Sequence, residues 1–235
     1  MPPSPAAPEN PSHEPLVTPV VCYVTDRKAL RAADWAGGVG ERIAAAIDAG
    51  ADWVQVREKD LPARELLGIV RAAVAISEDG LRAAVARVIV NDRLDVALAA
   101  GAAGVHLGAE SMPARDVVRW CRGGNAPAQF LVGVSCHSLE QAREAELAGA
   151  NYIFFGPIFD TPSKRAFGQP QGVPTLAAVG RTVGLPVIAI GGVNEENGAE
   201  CIRAGAAGIA AIRLFQEHRD PEALGRALAR IHGCV

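Results

Sequence analysis

No stretch of this 235-residue sequence approaches the roughly 18 uncharged apolar residues of a membrane span, so a soluble chain is expected. Nor is there a surplus of positive charge. The formal net charge is −3, which supplies no global basic field for nucleic acid or an acidic membrane as partner. Phosphorylated small molecules stay open, because they need only a local cluster of donors. The five cysteines (Cys22, Cys121, Cys136, Cys201, Cys234) are scattered and include no C-x-x-C pair. That pattern argues against a disulfide framework or a zinc ribbon and suits a reducing, cytoplasmic setting. The opening MPPSPAAPENPSHEP carries six prolines and no apolar run. It reads as neither signal peptide nor anchor, and residues 1–17 are expected to be a flexible tail ahead of one domain over 18–235.

What is present is a repeated phrase. AGADWVQVRE from Ala49, AGAAGVHLGA from Ala100, AGANYIFFGP from Ala148 and AGAAGIAAIR from Ala204 each close an alanine-rich helical stretch and open a short apolar run. The glycine suits the left-handed position after a helix C-terminus, and the run suits a strand buried on both faces. Gly50, Gly101, Gly149 and Gly205 lie about fifty residues apart, too far for single βα units. Four more strand candidates fall between them, at 20–26, 86–92, 129–135 and 185–192. Helices are expected near 39–49, 62–78, 93–100, 113–122, 138–148, 173–182, 195–204 and 221–232. Eight alternating units predict an α/β fold of the (β/α)8 TIM-barrel type. A doubly wound open sheet would need a nucleotide fingerprint after an early strand, and none is present.

In such a barrel, chemistry sits where strands end. Strand 2 ends in Q-V-R-E-K-D, and alternation sends Gln55, Arg57 and Lys59 to one side, Val56 and Glu58 to the other. Two cations aligned at the rim favour a phosphate or pyrophosphate ligand; a solvated loop or structural ion pairs is the alternative. Strand 3 ends in Asn91 and Asp92, which would either cap the next helix or, through Asp92, hold Mg²⁺ over phosphate oxygens. Strand 5 brings Ser135 and His137 to the rim, with Ser138 placed to cap the following helix, supported by Glu140 or Gln141. The loop from Gly156 to Gly172 holds Thr161, Ser163 and Lys164, a candidate phosphate cradle able to fold over a substrate. Gly191 and Gly192 would let backbone N–H groups approach an anion, and Asn194 would cap the next helix. The loop after G-V-H-L offers Glu110 and Ser111, either a metal site or a polar connector.

Q-V-R-E-K, N-D-R, H-L-G-x-E-x-M-P, G-V-S-x-H-S, F-G-P-I-F-x-T-P-S-K and I-A-I-G-G-V occur in that order over roughly residues 20–215. In this the sequence resembles the thiamine-phosphate synthase/thiazole tautomerase family. The resemblance implies a (β/α)8 barrel and a Mg²⁺-assisted transferase. It would join an aminopyrimidine bearing a hydroxymethyl diphosphate to a thiazole phosphate, releasing pyrophosphate. It implies catalytic roles for Arg57, Lys59, Ser135, His137 and Lys164 and a metal role for Asp92. Substrate contacts would come from Gln55, Val56, Glu58, Asn91, Thr161, Pro162, Ser163, Gly192, Ile212 and Arg213. Two positions depart from the family pattern: Ser111 stands where a second metal carboxylate is usual, with Glu110 beside it, and Arg213 stands where a serine is usual. The sister activity, an aromatising tautomerase using a histidine at the position of His137, is the alternative, as is a non-catalytic phosphate-binding paralogue. Self-association is an option the sequence leaves open.

Overall fold

In the computed structural model, which describes residues 19–30, 38–79, 86–161, 169–218 and 220–234, eight parallel strands close on themselves in sequential order. The strands are β1 (Val20–Val24), β2 (Trp53–Val56), β3 (Arg87–Asn91), β4 (Gly104–Leu107), β5 (Leu131–Cys136), β6 (Tyr152–Phe155), β7 (Val187–Ile190) and β8 (Gly208–Ala211). β8 pairs back onto β1 through Val20 and Gly208, which closes the (β/α)8 barrel. Helices α1 (Gly38–Asp48), α2 (Ala63–Ser77), α3 (Leu94–Ala100), α4 (Ala114–Trp120), α5 (Leu139–Ala148), α6 (Gly172–Thr182), α7 (Gly198–Arg203) and α9 (Pro221–His232) follow successive strands. A short α8 (Arg213–Glu217), absent from the sequence reading, sits directly after β8. The expected tail over residues 1–17 lies outside the described residues. No helix among those described is long and apolar enough to cross a membrane.

The repeated phrase is one turn used four times. At Gly50, Gly101, Gly149 and Gly205 the chain takes φ values of 101°, 72°, 83° and 95°. Each glycine N–H bonds the carbonyl three residues back, and the following alanine N–H bonds the carbonyl five back: Gly101 to Leu98 and Ala102 to Ala97, for example. That pair of bonds is the Schellman motif, which closes a helix and needs a residue free of Cβ strain at positive φ. Ala51, Ala102, Ala150 and Ala206 then bury their methyls and lead into β2, β4, β6 and β8. The fifty-residue spacing is therefore two βα units, with the motif on alternate units. At the intervening junction before β5 the chain instead leaves α4 through a wider turn over Cys121–Asn125, with Gly124 at φ 87°.

Strand alternation divides the apolar residues into two bodies. Val20, Cys22, Val24, Trp53, Ile89, Tyr152, Phe154, Ile188 and Ala210 fill the barrel interior. Val21, Tyr23, Val54, Val56, Val88, Val90, Ile153 and Phe155 face the helices. The helices answer with their own period, as in α2, whose Leu66, Val70 and Ala73 are buried three or four residues apart. Extending the inward parity past each strand end gives the positions that reach the functional rim.

Two expectations about helix starts change. The N-cap of α3 is Arg93, whose side chain makes no capping bond, so Asn91 and Asp92 are not its caps. Asn194 accepts from the backbone N–H of Glu196 and Asn197 and so organises the turn before α7, which starts three residues later than expected. Ser138 does cap α5: its hydroxyl accepts from Gln141 N–H at 3.2 Å, while Gln141 Oε1 accepts from His137 N–H at 2.7 Å.

Candidate active site

A cavity of about 930 Å³ opens at the C-terminal ends of the strands. Gln55, Arg57 and Lys59 from β2, Asn91 from β3, His106 from β4 and Ser135 and His137 from β5 all line it, as do Gly192 from β7 and Ile212 from β8. All of these continue the inward parity of their strands, which is why short side chains on separate segments converge. Thr161 and Arg213 also line it. Pro162, Ser163 and Lys164 lie outside the described residues.

The floor of the cavity is a polar chain inside the barrel. Gln55 Nε2 donates to Asn91 Oδ1 at 3.4 Å, across the β2–β3 pair. His106 is 1% exposed, with Nε2 2.9 Å from Ser135 Oγ and Nδ1 3.1 Å from the Tyr152 hydroxyl. Phe154 packs on the imidazole at 4.2 Å between ring centroids. Burial, and then the positive charge of Arg57, push the His106 pKa down to about 3, so the ring is neutral at pH 7. A neutral imidazole between two hydroxyls fixes which way the Ser135 hydroxyl can donate or accept. His106 was not among the residues singled out in the sequence, although one histidine between Val105 and Leu107 on a buried strand is an inward-facing polar group by alternation alone.

His137 stands at the mouth. Its Nδ1 contacts the carbonyl oxygen of Gly156, which can only accept, so Nδ1 carries a proton and Nε2 is the acceptor of the neutral ring. Opposite, Gly191 and Gly192 turn the end of β7 with φ values of 92° and 70°. The Asn197 amide holds this turn by donating to the Gly192 carbonyl at 3.0 Å.

Charge is distributed unevenly around the rim. On the β2 side, Glu58 and Asp60 are taken up by Arg27 and Lys28, so among the described residues Arg57 and Lys59 keep no ion-pair partner. On the β7–β8 side the wall includes Glu195, Glu196 and Glu217, with Arg213 as the cation. Arg213 is 55% exposed and 3.9 Å from Glu217, a surface pair that leaves its guanidinium available.

Five residues expected at the site, Val56, Glu58, Asp92, Glu110 and Ser111, do not line the cavity. Val56 and Glu58 have the outward parity: Val56 packs in the outer core, and the Glu58 carboxylate is buried under the β1–α1 loop. The Ser111 hydroxyl folds back to accept from Gly108 N–H at 2.7 Å, and Glu110 is exposed on the same loop; neither lines the cavity. Asp92 shares the outward parity of Val90 and is exposed, but its backbone sits at φ 66°, a left-handed conformation unusual outside glycine. Strain of that kind collects at functional sites and costs about 1–3 kcal/mol. The described residues contain no group of three or more His, Cys, Asp or Glu able to hold a metal ion. One exposed carboxylate at the end of β3, outside the cavity lining, does not make a resident magnesium cage.

A closed parallel barrel whose rim combines cations, two of them without an ion-pair partner among the described residues, with hydroxyls and a glycine turn defines an enzyme class that handles phosphorylated small molecules. The comparisons narrow the class: the family described as thiamine monophosphate synthase matches residues 21–215, and the chain belongs to that family. A thiamine-phosphate synthase of Roseiflexus castenholzii (strain DSM 13941 / HLO8) is 42% identical over 234 residues, covering 97% of this chain and 95% of the relative. Another, from Roseiflexus sp. (strain RS-1), is 41% identical over 231 residues, covering 96% and 90%. Among solved structures, a thiamine phosphate pyrophosphorylase from Pyrococcus furiosus superimposes with a TM-score of 0.78 at 29% identity, covering 92% of this chain and 96% of that one.

Proposed function

We propose that this chain is a thiamine-phosphate synthase, a transferase working as a single catalytic barrel over residues 18–235. It joins 4-amino-2-methyl-5-(diphosphooxymethyl)pyrimidine to a thiazole phosphate, giving thiamine monophosphate and pyrophosphate. The observation that carries this reading is the pair Arg57 and Lys59, which enter the cavity from one strand end with their neighbouring carboxylates already occupied. Unpaired cations at a cavity rim are costly unless an anion belongs there, and a diphosphate leaving group is such an anion.

In the reaction the bond between the pyrimidine methylene carbon and the diphosphate oxygen breaks, and its electron pair leaves with pyrophosphate. The electron-rich aminopyrimidine carries the resulting benzylic-type cation until the thiazole nitrogen supplies a pair to that carbon. Such a path needs charge neutralisation on the leaving group, not a protein nucleophile. Arg57, Lys59 and Lys164 take that role. Gln55, Asn91 and Ser135 orient the pyrimidine diphosphate, with His106 holding the Ser135 hydroxyl. Thr161, Ser163, the Gly192 backbone, Ile212 and Arg213 form the thiazole-phosphate side. Magnesium, brought in on the diphosphate and meeting Asp92 as its protein carboxylate, would supply further positive charge to the leaving group.

The synthase name carried by the relatives, together with the β2 cations, favours this reading over a tautomerase, which has no diphosphate to hold. Alanine at Lys59 or Asp92 is expected to abolish pyrophosphate release. If His137→Ala removed thiazole aromatisation while Lys59→Ala left it intact, the tautomerase would be the correct assignment. Tight binding of both substrates with neither reaction would make the chain a non-catalytic binding protein.

A further inference from the structure

The outward side of the Q-V-R-E-K segment carries a buried hydrogen-bond clamp joining Glu58 to Thr25 and Arg27. Glu58 has a side chain only 2% exposed, yet it does not line the rim cavity. Its Oε1 accepts from the Thr25 hydroxyl at 2.7 Å and from Arg27 N–H at 3.1 Å. Its Oε2 accepts from Arg27 N–H at 3.2 Å and from Arg27 Nη1 at 3.4 Å. The Thr25 hydroxyl, having donated its one proton to Glu58, accepts from the backbone N–H of Arg57 at 2.9 Å. Arg27 continues outward to Asp60 in a two-pronged pair at 2.7 and 2.8 Å, which raises the Arg27 pKa and depresses that of Asp60.

We infer that Thr25 and Glu58 are positioning residues for Arg57 and Lys59. Residues 57 to 60 alternate: Arg57 and Lys59 face the cavity, while Glu58 and Asp60 are tied to the β1–α1 loop. Beyond the last ladder residue of β2, Val56, the chain has left the sheet, and Thr25 is what fixes the Arg57 peptide. Without the clamp the two cations would hang on a free loop, and a phosphate site held loosely forfeits much of its electrostatic effect. The buried carboxylate also keeps Arg27 occupied on the outer side, so on this side of the rim the cations lining the cavity are Arg57 and Lys59.

This inference rests on the synthase reading, and its test separates the two. Inorganic pyrophosphate is titrated calorimetrically into the full-length protein and into Thr25→Val, Thr25→Ser and Glu58→Gln. The KM for each substrate is measured in parallel. Thr25→Val swaps a hydroxyl for a methyl of equal volume, whereas Thr25→Ser keeps the relay. Loss of a hydrogen bond to a charged group corresponds to about a tenfold to hundredfold change. Thr25→Val and Glu58→Gln are therefore expected to weaken pyrophosphate and raise the KM of the pyrimidine diphosphate by about that factor. The KM of the thiazole phosphate should hold, and Thr25→Ser should stay near the parent. A purely structural role would move both KM values together or leave pyrophosphate affinity intact in folded variants; either result overturns the inference. If Glu58→Gln does not fold, the Thr25→Val and Thr25→Ser pair decides alone. A parent that binds pyrophosphate but makes no thiamine phosphate sinks the synthase reading and leaves the clamp standing.

Discussion

The two ends of the barrel are built on different rules. At the N-terminal ends of the strands, four junctions repeat one backbone motif, and their residues are chosen for conformation: glycine for positive φ, alanine for a buried methyl. A further tie there joins the last helix to the sheet, where Asp52 Oδ2 accepts from Val21 N–H at 2.7 Å and meets His232 Nε2 at 2.8 Å. At the C-terminal ends no backbone motif repeats among the described residues, and residues are chosen for charge, hydroxyls or reach. One end holds the fold and the other performs chemistry, so damage to each should show in a different measurement.

The sharpest way to break this division is to remove a rim cation. Arg57→Ala is expected to lower kcat/KM by about a hundredfold to a thousandfold, the usual cost of losing one preorganised donor to developing negative charge. Thermal melting of that variant should stay close to the parent; a large drop in Tm would mean that the rim also carries stability.

His106 lies between the two ends and links them through pH. Its folded pKa of about 3 lies below the unfolded value of 6.5, so below pH 6.5 the unfolded chain binds the extra proton and stability falls as pH falls. From pH 6.5 to 4 this group alone should cost roughly 3 kcal/mol. Denaturant titrations of the parent and His106→Asn should differ by that share of the acid slope. Equal slopes would mean that the imidazole is not held neutral.

The smallest expected effect belongs to the other end. Gly101 sits at φ 72° with open space where a Cβ would go, so Gly101→Ala isolates the conformational cost. A loss of about 1 kcal/mol is expected, lowering Tm by about 2–4 °C, with kcat and KM unchanged. A kinetic defect here would contradict the separation of the ends.

The same contrast explains what the sequence discloses. The stable end is legible because its requirement is local: a glycine after a helix and an apolar run after the glycine reveal four αβ junctions, and the remaining strands fall between them. The rim is legible where a residue continues a strand's parity, as with Gln55, Arg57, Lys59, Asn91 and Ser135. It is opaque where a side chain's partner is distant in sequence. Glu58 reads as one more polar residue of a binding segment until Thr25 and Arg27 are seen above it. Asp92 reads as either a helix cap or a metal ligand until its left-handed backbone and outward, exposed placement are known. His106 was readable but sits within an apolar run, where a buried partner such as Tyr152 gives no local sign.

The loop at residues 108–112 is the place where the two rules meet. Ser111 uses its hydroxyl to close its own turn on Gly108, a conformational task at the chemical end. Neither Ser111 nor Asp92 lines the cavity, whose acidic lining residues are Asp26, Asp160, Glu195, Glu196 and Glu217.

The most direct test of the synthase reading is a turnover assay on the intact protein with both substrates and Mg²⁺, following thiamine monophosphate and pyrophosphate together. Formation of the two products in a one-to-one ratio, dependent on both substrates, is the expected result. Absence of both products at every Mg²⁺ concentration, from a protein that binds pyrophosphate, would contradict it.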